Sequence, residues 1–354
     1  MSGYSVRPYR PAWWLPGGHL QTLAGWLLRP RSGVEFLRER IDTPDGDFLD
    51  LDFAQVGALR WSELDDSAPV ALVLHGLEGS ALGPPALQCF RALAAHGIRG
   101  VGLNFRSCSG EPNRAIRSYH AGETSDLALV LDLLRERFPR NPLAAVGYSL
   151  GGNVLLKYLG ETGAAARDRV HAAAAYSVPF DLAAGARKLG RGLGMLYTSH
   201  FIRSLQRKYQ AKRAITAGVC YEERVAAART LRDFDDAVTA PLHGFSSAAE
   251  YYASSSSGSY LSRIRVPTLI LHSADDPFLP EEAIPRDAAA ENAHLTLHVT
   301  RRGGHVAFVS GARPWAPIFW AEHEVSRFFA LHLASAASAS ASSLNQREPC
   351  QTSS

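Results

Sequence analysis

The sequence predicts a doubly wound α/β fold, with a mostly parallel sheet and an inserted, mainly helical cap. Three observations carry this. Short apolar runs of strand length alternate with amphipathic helical stretches, joined by short links, from residue 70 to 178. The run Val70–Leu74 is continuously apolar, as in a parallel strand buried on both faces. The alternation then stops near Pro179 and resumes near Val266, which marks residues 179–263 as the insertion. With 354 residues and 46% hydrophobic content, the chain can bury a sizeable core.

Taken in order, residues 1–33 form an amino-terminal arm crowded with Trp13, Trp14, Leu15 and the leucines from Leu20 to Leu28. It reads either as an arm packed on the domain or as a lip that touches acyl chains or a membrane surface. The main domain spans 34–333. It opens with a hairpin, residues 34–41 and 48–54, around the turn signature Thr43-Pro44-Asp45-Gly46-Asp47. After strand 70–74 a helix starts at Pro84-Pro85 and covers 84–96, because proline suits a first helical turn. Strand 98–105 leads to a loop with Arg106, Cys108 and Asn113. Helix 123–138 has Leu127, Val130, Leu131, Leu134 and Phe138 at helical spacing, and Pro139 stops it. Small-residue strands are expected at 143–146 and 171–178. Beyond the insertion come strand 266–272, a helix near 281–290, strand 294–300 and a closing helix over 314–333. The Ala/Ser-rich stretch 334–354 cannot build a core and is expected to be a disordered tail.

The chemistry centres on Gly147-Tyr148-Ser149-Leu150-Gly151, which follows a strand and opens a helix. In that context a G-x-S-x-G string is a nucleophile elbow, whose glycines let strand and helix close up around an exposed serine. Leu150 N–H, at the helix start, can stabilise an oxyanion. A serine hydroxyl needs a neighbouring base, itself oriented by an acid. In doubly wound sheets, sites form beyond the carboxyl ends of the strands. Strand 266–272 is followed by Asp275 and Asp276, and strand 294–300 by Gly303-Gly304-His305. Ser149, one of the two aspartates and His305 are therefore the candidate triad. The loop His75-Gly76-Leu77-Glu78-Gly79-Ser80 supplies a second oxyanion donor, Leu77 N–H. Phe180, Leu193, Met195, Leu196 and Tyr197 in the insertion are available as pocket walls.

Other features point away from competing functions. A net charge of +3, without a run of like charges, gives no case for nucleic acid. Cys89, Cys108, Cys220 and Cys350 lie far apart, without metal-ligand spacing. With no leader peptide visible, they read as reduced thiols of a cytoplasmic protein. No apolar run is long enough to span a bilayer. His294 and His298 are four residues apart on a strand, about 13 Å, too far to share a metal, and are expected to face solvent. His323-Glu324 is likewise expected at the surface. No metal and no cofactor are expected.

Several strings carry a family resemblance. They are Trp14-Leu15-Pro16-Gly17-Gly18-His19-Leu20-Gln21-Thr22, the His75 to Ser80 loop, Asn104 to Glu111, Tyr119-His120-Ala121-Gly122-Glu123 and Gly147 to Asn153. Asp275-Asp276-Pro277 and Gly303-Gly304-His305-Val306-Ala307-Phe308 complete the set. Together they make residues 10–333 similar to the YheT-like branch of the α/β-hydrolase superfamily, with Ser107 and Ala307 standing where glycine is usual. The resemblance implies short- to medium-chain acyl esters as substrates. In many such enzymes the acid is the third residue after the small one ending its strand, which selects Asp276 after Ser273. Pro277 forces Asp276 into extended backbone, so Asp275 stays open. An acyltransferase that resolves the same acyl-enzyme with an alcohol, or a ligand-binding module without catalysis, are the alternatives.

Overall fold

The computed structural model describes residues 4–65 and 67–345. Strands with small or apolar residues at every position need cover on both faces, and this decides the architecture. The strands are β1 (Glu35–Asp42), β2 (Phe48–Gln55), β3 (Val70–Leu74), β4 (Arg99–Asn104), β5 (Leu143–Tyr148), β6 (Ala172–Tyr176), β7 (Thr268–Ser273) and β8 (Leu295–Thr300). They form one sheet in the order β1-β2-β4-β3-β5-β6-β7-β8. The hairpin β1–β2 joins β4 antiparallel, and the six strands from β4 to β8 are mutually parallel. Every residue of β3 to β7 is buried.

The helices that cover this sheet follow from its links. They begin with α1 (Gly18–Leu27), α2 (Pro84–Ala94), α3 (Ser125–Arg137), α4 (Leu150–Thr162), α5 (Leu182–Leu189) and α6 (Gly194–Ala211). On one face, Leu127, Val130 and Leu131 of α3 and Leu155 and Leu159 of α4 pack on Leu72, Leu74 and Val101. On the other, Phe90 and Leu93 of α2 and Val325, Phe328 and Phe329 of the closing helix Trp320–Asn345 pack on Val73, Val146 and Leu269. The alanines of β6 alternate between the two cores, Ala173 and Ala175 facing one and Ala172 and Ala174 the other. That is the period of two a strand imposes.

Between β6 and β7 the described residues hold helices and turns and no strand, from α5 through Ala248–Ser255 to a 3₁₀ segment Ser257–Arg263. Part of this segment has a small core of its own, built from Ile202, Tyr209, Val225, Phe234 and Val238.

Several expectations need correction. The helix near 281–290 is split into a 3₁₀ turn Glu281–Ala283 and a short helix Arg286–Ala290, because Pro285 breaks the hydrogen-bond ladder between them. The closing helix starts at Trp320 rather than 314. The preceding residues instead form a small antiparallel pair, Val309–Ser310 with Ile318–Phe319. It also runs on to Asn345, through alanines that favour helix. The remainder of the expected tail, 346–354 with Cys350, lies outside the described residues. Glu324 is buried, accepting from Tyr4 Oη at 2.6 Å and Arg7 N–H at 3.0 Å. His298 is half-buried against the Trp320 ring rather than facing solvent, and His294 is half-buried beside Arg167. Cys89, Cys108 and Cys220 are buried free thiols. Among the described residues no helix is long and apolar enough to cross a membrane.

Candidate active site

Ser149 sits between β5 and α4 with φ 53° and ψ −125°, a backbone conformation costly for any L-residue. The turn closes because its neighbours have no side chains. A Cβ on Gly147 would lie 2.3 Å from Gly151 O, and one on Gly151 2.5 Å from His75 O. Ser149 N–H is held by Tyr176 O at 3.0 Å.

The loops after β7 and β8 converge on this serine. His305 Nε2 lies 2.9 Å from Ser149 Oγ, and His305 Nδ1 lies 2.8 Å from Asp276 Oδ2. A carboxylate only accepts, so Nδ1 carries the proton and Nε2 is free to take one. Asp276 is fully buried, and its Oδ1 accepts Phe278 N–H at 2.8 Å and Leu279 N–H at 3.2 Å. Burial works to raise its pKa. The charge and hydrogen bond of His305, with His272 and the Phe278 amide, outweigh that and hold it below the usual carboxylate value. The Phe278 ring stacks on His305 with centroids 4.2 Å apart. Asp275 turns elsewhere, its Oδ1 accepting Ser273 Oγ–H at 2.6 Å and Gly304 N–H at 2.9 Å. Of the two aspartates left open by the sequence, Asp276 is the one against His305.

The scaffold beneath His305 comes from the far end of the chain. Thr22 Oγ1 accepts His305 N–H at 2.9 Å and donates to Gly18 O at 2.7 Å. The Gln21 amide bonds both N–H and C=O of Val309, at 2.9 and 3.2 Å. A Cβ on Gly18 would meet Asp275 O at 1.9 Å, so only glycine lets α1 wedge against the aspartate loop. Arg29 then closes the joint, donating to Val306 O at 2.7 Å and pairing with buried Glu322 at 2.5 Å. Sequence reasoning missed this role. The available signal was Gly18 with Gln21 and Thr22 on a helix otherwise made of apolar residues and His19.

The loop after β3 lies against the serine from the other side. A Cβ on Gly76 would sit 3.2 Å from Ser149 Cβ, so the Leu77 amide follows immediately beside this serine. Among the described residues neither Leu77 N–H nor Leu150 N–H has an acceptor. His75 shapes this loop: Nδ1–H donates to Gly76 O at 2.8 Å and Nε2 accepts Phe105 N–H at 3.1 Å. Burial pushes its pKa down to about 4, so it stays neutral. Glu78, at φ 55°, anchors the loop to α6. Its carboxylate accepts from Lys208 Nζ at 2.9 Å, Tyr119 Oη at 2.7 Å and Ser204 Oγ. Neither Glu78 nor Lys208 was identifiable from sequence, since each needs the other to be in place.

Two cavities meet at Ser149 and His305. One, of about 660 Å³, opens between α1 and α6 and is lined by Leu23, Trp26, Leu193, Leu196, Tyr197 and Phe201. The other, of about 120 Å³, runs beneath α5 and α6 past Leu189, Leu205, Leu231 and Tyr252 to Asp235. Burial pushes the Asp235 carboxyl up to about 6, although Thr239 and Tyr252 hydroxyls donate to it at 2.6 and 2.7 Å. Two expected wall residues lie elsewhere. Phe180 is part of the main core, and Met195 is half-exposed and lines neither cavity. Among the described residues no cluster of three His, Cys, Asp or Glu side chains could hold a metal ion.

A family model described as alpha/beta hydrolase fold matches residues 69–312. The chain is 37% identical to YheT of Escherichia coli K12, whose name classes it with the esterases, over 89% of this chain and 91% of that protein. It is 30% identical to human phospholipase ABHD3, over 86% of this chain and 75% of that one. Among solved structures, Est1E from Butyrivibrio proteoclasticus with ferulic acid bound is similar in fold, with a TM-score of 0.52 at 13% identity, covering 84% of this chain and 99% of that one. The chain belongs to the α/β-hydrolase family, in the branch that holds YheT and ABHD3, and is an enzyme of the hydrolase class.

Proposed function

We propose that this chain is a serine-dependent carboxylic ester hydrolase that works through an acyl-enzyme on short- to medium-chain acyl esters. The observation that carries the reading is the unbroken hydrogen-bonded series Ser149 Oγ, His305, Asp276, at 2.9 and 2.8 Å, where two apolar-lined cavities meet. Ser149 Oγ attacks the ester carbonyl carbon while its proton passes to His305 Nε2. Buried Asp276 stabilises the imidazolium that results. The oxyanion accepts from Leu77 N–H and Leu150 N–H, the latter reinforced by the start of α4. Collapse expels the alkoxide, which takes the proton from Nε2 and leaves acyl-Ser149. A water then gives its proton to Nε2 as it attacks the acyl carbon, and collapse releases the acid while Nε2–H returns the proton to Ser149 Oγ.

Residues 179–263 act as a cap over this centre and set acyl length, the narrower cavity beneath α5 and α6 taking the acyl chain. The esterase and phospholipase names of the relatives support an ester bond as the target. Fluorophosphonate labelling tests the reading. Native protein should label once, at Ser149. Ser149→Ala should lose the label and about 10⁶-fold in turnover of p-nitrophenyl esters of graded length. Labelling of Ser149→Ala to the native extent, or undiminished turnover, overturns it.

A further inference from the structure

The mouth of the larger cavity is ringed by apolar side chains that nothing among the described residues covers. On α1, Leu20, Leu23 and Leu27 recur at helical spacing with Trp26 beside them, and Leu27 is 68% exposed. Across the mouth, Leu193, Met195 and Leu196 project from the start of α6, with Leu196 71% exposed. The two sides are tied by His19 and Tyr197, whose rings stack with Nδ1 3.1 Å from the phenol oxygen. Cavity and collar are one continuous apolar surface, because Leu23, Trp26, Leu193 and Leu196 belong to both. Contiguous apolar rims of this kind mark interaction sites in soluble folds.

The charge around the collar is one-sided. Residues 4–33 contain four arginines and no acidic residue, and residues 182–213 contain eight Lys or Arg and no acidic residue. The whole chain is nearly balanced at +3, so the acids lie elsewhere. Some of these cations are tied internally, as Arg29 is to Glu322 and Lys208 to Glu78. Arg31, Arg191, Arg203 and Arg207 are exposed, with no carboxylate within 4 Å among the described residues. From the N-cap Leu193 along α6, Leu196, His200, Arg203 and Arg207 follow at three- and four-residue steps, so one exposed stripe turns from apolar to basic.

We propose that this collar docks on an anionic lipid surface, with the α1 and α6 leucines and Trp26 entering the interface and the flanking arginines meeting the headgroups. An apolar face with a basic margin is the composition that holds a protein at such a surface. The choice of a lipid over a protein partner rests on the ester-hydrolase reading. A protein seated here would seal the mouth, whereas a lipid surface both covers the collar and delivers acyl esters into the cavity.

The test is co-sedimentation of Ser149→Ala protein with vesicles of phosphatidylcholine alone or with 30% phosphatidylglycerol (roughly the anionic content that gives a strong surface potential). Binding should be at least about tenfold tighter to the anionic vesicles and weaken with salt. Leu20→Asp/Leu27→Asp, at positions that line neither cavity, should lose about tenfold or more in binding. The same double substitution with Ser149 intact should keep native turnover of a water-soluble short ester, which shows that it folds. Arg203→Glu/Arg207→Glu should abolish the preference for anionic lipid. No binding to either vesicle, or equal binding by the leucine variant, overturns the proposal. So does a concentration-dependent dimer that the leucine variant dissolves, since a second copy then covers the face. A protein that binds vesicles but hydrolyses no ester leaves docking standing and refutes the catalytic reading alone.

Discussion

Replacing each of two adjacent aspartates by asparagine should have opposite consequences, and the geometry says why. Asp276 Oδ1 already accepts two backbone amides, Phe278 N–H and Leu279 N–H, at 2.8 and 3.2 Å. In Asp276→Asn the amide oxygen must keep that place, because an NH₂ group there would face two donors. The NH₂ is then forced toward His305 Nδ1, which becomes an acceptor and moves the ring proton to Nε2. An imidazole protonated at Nε2 cannot take the proton of Ser149. The loss in kcat should be about 10⁴-fold, or roughly 5 kcal/mol of transition-state stabilisation. In Asp275→Asn the oxygen keeps Ser273 and Gly304, and the NH₂ replaces Oδ2, a buried atom with no hydrogen-bond partner. That change removes little and should cost less than about tenfold. Steady-state hydrolysis of p-nitrophenyl butyrate, with melting curves to show both variants folded, makes the comparison. A crippled Asp275→Asn beside an active Asp276→Asn would refute the argument.

Three further outcomes follow from other contacts. Thr22→Val strips His305 N–H of its acceptor and should cost about 1–3 kcal/mol in chemical denaturation, with kcat falling more than KM changes; unchanged kcat and stability would contradict the scaffold role of α1. Arg29→Leu leaves the Glu322 carboxylate buried and unpaired, so it should cost about 3–5 kcal/mol, and Arg29→Leu/Glu322→Leu should recover much of that in a double-mutant cycle. His75, His120 and His272 have pKa values pushed down to about 4 by burial. Unfolding lets each bind a proton from about pH 6.5 downward, so stability is full above that pH and falls as pH drops toward 4. Each can contribute on the order of 3 kcal/mol, and raised Asp235 offsets part of it, since its contribution is lost as pH rises. A denaturation midpoint that rises between pH 6.5 and 4 would show that these rings are not buried and neutral.

Much of the fold was readable because its signals are local. A continuous run such as Val70–Leu74 needs no distant partner to announce a buried strand, and the alanines of β6 announce close cover on both faces. Ser149 was readable for the same reason, since Gly147 and Gly151 sit two residues away. The choice between Asp275 and Asp276 was not, because it depends on which carboxylate the amides of Phe278 and Leu279 turn inward. The Glu78–Lys208 pair was hidden by 130 residues of separation. Pro285 stands inside the expected helix 281–290, and the structure splits that helix there.

The wedge of α1 beneath the histidine loop bears on when the enzyme becomes active during its synthesis. Thr22 and His305 are separated by 283 residues, and Arg29 and Glu322 by 293. The first helix made therefore waits for the partners of its buried face, Gly18, Gln21, Ala24 and Gly25, until nearly the whole chain has emerged. Contacts so distant in sequence form late and slowly. Strands β3 to β6 and the strained serine can assemble well before then, but the histidine beside the serine arrives late, and its loop is braced by that first helix as well as by Asp276 and Phe278. A ribosome-bound intermediate thus carries the strained Ser149 without His305 beside it, and on the serine-hydrolase reading proposed above activity begins only with completion of the fold.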